Sequence, residues 1–196
     1  YDKKTNFIGL EIKTPEPLLC SSFDKLLLMF KTGDYKIINI PDKLFLDDKL
    51  VCYDKQSTQK PVSVVYLDPA TNVYYMKRFM VTKFILDKLY RFIPEGTKLM
   101  FMSQDDNPLI HVDYAPQKRA KISSEYIHLG RLLTKSVSSI GNQLATRPIT
   151  KITQVHKQEI YQMFENEDIE VMRLRPPSEK EAQPTLFENS EPEPEN

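Results

Sequence analysis

The sequence predicts an all-β protein assembled from repeated hairpin units. Short apolar runs of strand length alternate with turns rich in Gly, Pro, Asp and Asn. The first strands of successive units start at residues 26, 62 and 99, spaced 36 and 37 residues apart. A near-constant period of this length is the mark of repeated supersecondary units, as in propeller-like folds. Only one segment, residues 154–165, has a helical look, with Val155, Ile160, Met163 and Phe164 loosely on one face.

The units follow in order. Residues 26–30 (LLLMF) lead through Lys31-Thr32-Gly33-Asp34 into residues 35–40 (YKIINI). Residues 62–67 (VSVVYL) lead through Asp68-Pro69-Ala70-Thr71-Asn72 into residues 73–80 (VYYMKRFM). Residues 99–102 (LMFM) lead through Ser103-Gln104-Asp105-Asp106-Asn107-Pro108 into residues 109–114 (LIHVDY). The linking residues favour turn dihedrals, so each pair reads as a hairpin. The connectors 43–53 (KLFLDDKLVCY) and 83–93 (KFILDKLYRFI) also echo each other, an apolar run meeting Asp and then Lys-Leu. Each unit is thus expected to hold a hairpin, a further strand and a short crossing. Segment 154–165 is expected to pack back against the body or to extend it as a last strand.

The formal net charge is zero, but it is unevenly placed. Residues 165–196 carry ten acids and three bases, which leaves 17 acids and 24 bases in residues 1–164. A body at +7 suits a polyanion, and a tail at −7 can compete with it; an ordinary mixed surface with a solubilising tail is the plain alternative. The tail, RPPSEKEAQPTLFENSEPEPEN from Arg175, has too little apolar area to offset ordering entropy and is expected to be disordered. The predicted division is therefore a body of residues 1–164 and an acidic tail of residues 165–196.

Several function classes lose support. Cys20 and Cys52 lack metal-ligand spacing and are expected to be free, buried thiols. His111, His128 and His156 are scattered and match no metal motif. No apolar run approaches the roughly 20 residues that span a bilayer. The chain starts at Tyr1 without Met and is expected to be a cut from a longer protein. Five glycines in all, with no GxxxxGK[ST] loop, leave no nucleotide-phosphate cradle. Asp47-Asp48 and Asp105-Asp106 fall in turns, where Asp caps the backbone.

Residues 73–84 (VYYMKRFMVTKF) and 139–152 (SIGNQLATRPITKI), with NFIGLEI at 6–12 and Cys20-Ser21-Ser22-Phe23-Asp24, carry a family resemblance. Their order and spacing resemble the C-terminal domain of the bacterial topoisomerase IV A subunit, a divergent branch of the gyrase A/topoisomerase IV A family, over about residues 6–155. That resemblance implies a β-pinwheel, a propeller-like series of four-stranded blades that exchange a strand between neighbours. Three hairpins plus partial blades at 7–12 and 141–152 imply about three to four blades in an open arc. It implies a domain that binds and bends duplex DNA and presents a segment to the strand-passage core. The fragment itself would hold no catalytic residue and no cofactor. The partners implied are double-stranded DNA, the A-subunit core in cis and the ATPase B subunit, where Mg and ATP belong; the place implied is the bacterial cytoplasm, at the nucleoid.

Binding of this kind rests on Lys and Arg neutralising phosphates. The candidates are Arg78, Lys83, Lys88, Arg91, Lys118, Arg119, Lys121, Arg131, Lys135, Arg147 and Lys151. Lys77 and Arg78 are neighbours on one strand and must face opposite sides, so only one can serve, and Arg78 is preferred. The densest cluster is Lys118-Arg119-Ala120-Lys121, in an expected loop. Lys88 and Arg91 alternate with apolar neighbours and would equally well cover a connector. The glutamine-arginine-glycine box of gyrase A subunits is missing, which points away from gyrase-type wrapping. Tyr90-Arg91 places a Tyr beside an Arg but in the wrong order and setting for the family's nucleophile. The competing reading is a propeller-like protein-interaction module without DNA binding.

Overall fold

Residues 26–30 are buried at every position, so the strand they form must have apolar neighbours on both faces. The computed structural model describes residues 1–15, 17–118 and 122–155. Among them are fourteen strands, two short 3-10 turns and no α-helix. The all-β class holds. The acidic tail, and all of segment 154–165 beyond Val155, lie outside the described residues.

The chain begins with β1 (Phe7–Ile8), the hairpin β2 (Lys25–Phe30) and β3 (Asp34–Asn39), then β4 (Leu44–Phe45) and β5 (Leu50–Lys55). The second repeat holds the hairpin β6 (Val62–Asp68) and β7 (Val73–Phe79), then β8 (Leu89–Arg91) and β9 (Lys98–Ser103). The third holds β10 (Leu109–Tyr114), β11 (Ser124–His128), β12 (Thr134–Lys135), β13 (Asn142–Ala145) and β14 (Ile149–Val155).

Pairing follows one rule. The first two strands of each repeat form an antiparallel hairpin, and the chain later returns to add an antiparallel strand beside the first: β5 on β2, β9 on β6, β14 on β10. Between hairpin and return, the connector crosses to the preceding sheet. There β4 pairs β1, β8 pairs β3, and β12 and β13 pair β7. The sheets run β5-β2-β3-β8, β9-β6-β7-β12 with β13 also on β7, and β11-β10-β14, with a two-stranded β1-β4 at the start. Neighbouring blades thus exchange strands, and among the described residues no sheet closes on itself, consistent with an open pinwheel-like arc.

The structure corrects three expectations. Residues 99–102 and 109–114 do not form a hairpin: β9 pairs β6, whereas β10 pairs β11 and β14. The turn-rich stretch between them is a passage from one sheet to the next. The equivalent first strands therefore begin at Lys25, Val62 and Leu109, and the period lengthens in the third repeat. Segment 141–152 is no blade of its own, because β13 joins the second sheet and β14 the third.

Two-sided burial explains the composition of the central strands. One face of the first sheet (Leu27, Met29, Tyr35, Ile37) meets one face of the second (Val62, Val64, Tyr66, Phe79). The other face of the second (Val65, Tyr74) meets the third sheet through Ile110, Val112, Tyr114 and Ile127. The remaining face of the first sheet (Leu26, Leu28, Phe30, Ile38) packs on Ile8 and Leu46 around the small β1-β4 sheet. Gly33 turns the first hairpin at φ +89°, and a Cβ there would lie 2.2 Å from Ile93 Cγ1. Asn72, at φ 54°, turns the second. Cys20 and Cys52 are free and half-buried.

Candidate nucleic-acid interface

The exchanged connectors bring together basic residues that are far apart in sequence. Lys83 follows β7, Arg91 ends β8 and Lys135 ends β12, and all three line one groove of about 550 Å³. Thr82, Thr134, Ser136 and Ser138 add hydroxyls, and Tyr35 and Tyr90 form apolar wall. Among the described residues no carboxylate lines this groove. Lys83 and Lys135 are exposed, and Lys135 spends one donor on Asn142 Oδ1 at 2.7 Å. Arg91 is largely engaged: it pairs with the Asp34 carboxylate at 2.9 Å and faces Glu95 at 3.7 Å. The tyrosine rings stack at 5.2 Å between centroids, and Lys88 lies exposed over Tyr90 at 5.4 Å.

The groove wall is pinned from behind by Lys77. Alternation along β7 puts Tyr75, Lys77 and Phe79 on one face, toward the core between the first and second sheets. Lys77 is only 2% exposed. Its ammonium donates to the carbonyls of Val137 and Ser139, each at 2.7 Å, and lies 5.3 Å from the Phe79 ring centre. Burial pulls its pKa down to about 8, which still leaves it protonated at neutral pH. Tyr66 braces the same turn by donating its hydroxyl to the Ile140 carbonyl.

Gly141 closes that turn at φ +99°, where a Cβ would lie 2.6 Å from Met76 O and 2.8 Å from Lys77 Cβ. The Gly-Asn pair at 141–142 is thus explained physically: glycine lets β13 approach β7, and Asn142 then pairs with Met76.

Arg78 points to the opposite face, as alternation requires. Its guanidinium donates to the carbonyls of Gly130 and Asp106, the latter at 2.7 Å, and so ties β7 to the third repeat. The two adjacent cations therefore each hold a neighbouring loop. Sequence reasoning missed Lys77's anchoring role, although its place between Tyr75 and Phe79 on an apolar face was a legible signal.

The other candidates lie on the third repeat. Arg147 sits 3.9 Å above the Tyr114 ring and donates to the Ile122 carbonyl at 2.7 Å. Lys118 is exposed, and Arg119 and Lys121 lie outside the described residues. Lys151 is exposed on β14 opposite Asp113, and Arg131 is exposed at the end of the 3-10 turn Leu129–Arg131. Of the candidates among the described residues, only Lys83, Arg91 and Lys135 share the groove.

Residues 1–157 match the family described as topoisomerase C-terminal domain, Bacteroidota. The chain belongs to this topoisomerase C-terminal domain family. It is also 32% identical over 150 residues to the A subunit of DNA topoisomerase 4 from Borreliella burgdorferi, a match covering 74% of this chain and 23% of the relative. The chain thus spans about a quarter of the length of the curated relative it matches. For a topoisomerase C-terminal domain the β-pinwheel reading now rests on the pairing rule as well as on motifs. Among the described residues no group of His, Cys, Asp and Glu could hold a metal ion, and no helix is long and apolar enough to cross a membrane.

Proposed function

We propose that this domain binds duplex DNA without sequence preference, bends it, and presents a segment to the strand-passage core of a topoisomerase. The observation that carries the proposal is the groove that strand exchange builds from Lys83, Arg91 and Lys135 with four hydroxyls around them. Two exposed ammonium groups in a groove lined without carboxylates offer charge to phosphates, and Ser and Thr hydroxyls add donors that read no base. Lys88 extends the positive strip along β8, and Lys118, Arg147 and Lys151 would continue it on the third repeat. In the holoenzyme the A-subunit core would be joined to this domain in cis, and Mg and ATP would be handled with the ATPase B subunit, at the bacterial nucleoid.

A salt titration of binding to a plain duplex tests the reading. Affinity should fall steeply and linearly on a log-log plot, equally for unrelated sequences. Lys83→Glu combined with Lys135→Glu should weaken binding and lower the magnitude of the salt slope by about 2, one for each phosphate no longer neutralised. Absence of duplex binding, or binding indifferent to salt, overturns it. A duplex labelled at both ends should shorten its end-to-end distance on binding; an unchanged distance removes bending from the proposal.

A further inference from the structure

The strand β8 borders two grooves of opposite character. On one side lies the basic groove already described. The other groove, about 320 Å³, lies between β4 and β8 and is lined by Asp47, Asp48 and Asp87 against a single base, Lys36. Its floor is apolar, made by the buried side chains of Leu28, Phe30 and Ile38. Its walls expose Phe45 at 53% and Leu89 at 56%.

We infer that this second groove is a protein-docking surface that takes a basic segment of another polypeptide chain, with Lys or Arg alternating with Leu or Phe. Three features select that occupant. Three carboxylates against one ammonium repel a phosphate backbone, so nucleic acid is excluded where it is attracted next door. Two large exposed apolar side chains over an apolar floor give an entering Leu or Phe surface to cover, which a purely ionic ligand would leave wet. Two of the three acids are also presented without competing partners. Asp87 faces Lys36 at 3.7 Å, but the Asp47 and Asp48 carboxylates make no hydrogen bond or ion pair among the described residues.

Their turn is held still by Asn6, whose side-chain amide donates to the backbone carbonyls of Leu46 and Asp48. A fixed pair of unspent carboxylates costs little to order on binding. A second copy of this chain is a poorer fit, because Lys83 and Lys135 lie inside a groove, and one groove does not enter another. Along one side of the arc, DNA and protein would thus be assigned to adjacent clefts divided by a three-residue strand.

The test uses the whole 196-residue chain and fluorescence anisotropy. The probe is a labelled peptide alternating Lys and Leu, with Lys-Ser and Glu-Leu peptides and a plain duplex as controls. The Lys-Leu peptide should bind best. Asp47→Asn with Asp48→Asn should weaken it about tenfold, the scale that two surface ion pairs supply. Phe45→Ser should weaken it as well, and neither variant should lower duplex affinity. Equal binding of the Lys-Ser peptide, or no loss in the double Asn variant, overturns the inference. So does sedimentation showing self-association that Asp47→Asn with Asp48→Asn abolishes, since a second copy would then be the occupant. The duplex control keeps this outcome separate from the DNA-binding proposal.

Discussion

The Lys77 ammonium lies 2.7 Å from the Val137 carbonyl, so a buried cation of the second sheet holds the turn that walls the basic groove. Replacing it by Ala leaves the Val137 and Ser139 carbonyls without their donor. Each buried acceptor so orphaned costs about 1–3 kcal/mol, and Lys77→Ala should lower unfolding free energy by about 2 kcal/mol or more. Lys77→Met, which keeps the packing and removes a buried charge, should cost less. Urea unfolding of both variants measures this. An Ala variant as stable as wild type would show that the turn needs no anchor.

Lys77 also sets a pH dependence. Burial lowers its pKa from 10.5 to about 8 in the folded protein. Between those values the unfolded chain binds more protons, so this group's contribution to stability rises as pH increases. The stability of wild type relative to Lys77→Met should therefore improve between neutral pH and about pH 10. Burial raises the Tyr66 hydroxyl to about 12 and the Cys52 thiol to about 11, which acts in the opposite direction at high pH. Those groups are common to both proteins and cancel in the comparison. A wild-type advantage that shrinks with rising pH contradicts the assignment.

At Gly141 the obstacle is backbone. A Cβ would press on Met76 O at 2.6 Å, and φ is +99°. Gly141→Ala should destabilise by about 2–3 kcal/mol and loosen β13 from β7, seen as faster amide exchange at Asn142 and Gln143. Gly96, at φ +76° with no atom within 4 Å of a Cβ, is the control. Alanine there should cost only about 1 kcal/mol.

The Arg91–Asp34 pair separates stability from binding. Asp34 is nearly buried, with 9% of its side chain exposed, while Arg91 is 43% exposed. Arg91→Ala strands the carboxylate and should lower the melting temperature. Lys83→Ala, on an exposed side chain, should leave stability within about 0.5 kcal/mol while weakening duplex binding. Thermal melts beside binding curves distinguish the two.

Removing residues 176–196 tests the charge split. If the acids compete for the body's cations, the truncated chain should bind duplex more tightly, most visibly at low salt. Unchanged affinity would leave the tail as a solubiliser.

The first two hairpins are legible in the sequence because strand-length apolar runs, buried on both faces, and turn chemistry agree there. The third is not, because an apolar strand records which faces are buried and not which strand lies beside it. Residues 103–108 have hairpin-like turn composition, yet β9 and β10 belong to different sheets. The groove is legible only as separate cations: Lys83 and Arg91 lie on the connector of the second repeat and Lys135 on that of the third, and nothing local shows that the two connectors meet. Lys77 shows the converse, a charged residue that the apolar positions on either side assign to the core.

The exchanged connectors also govern the order in which the protein can be made. The first sheet lacks its edge strand until residue 91 has emerged from the ribosome, after the whole hairpin of the next repeat. The second sheet waits in the same way for residues 134–145. Each repeat is finished by its successor, so synthesis lays down the arc as an overlapping chain of dependencies. Excising one repeat would leave its predecessor with an open edge, and the domain should lose or gain length in evolution only by changes that re-close that edge.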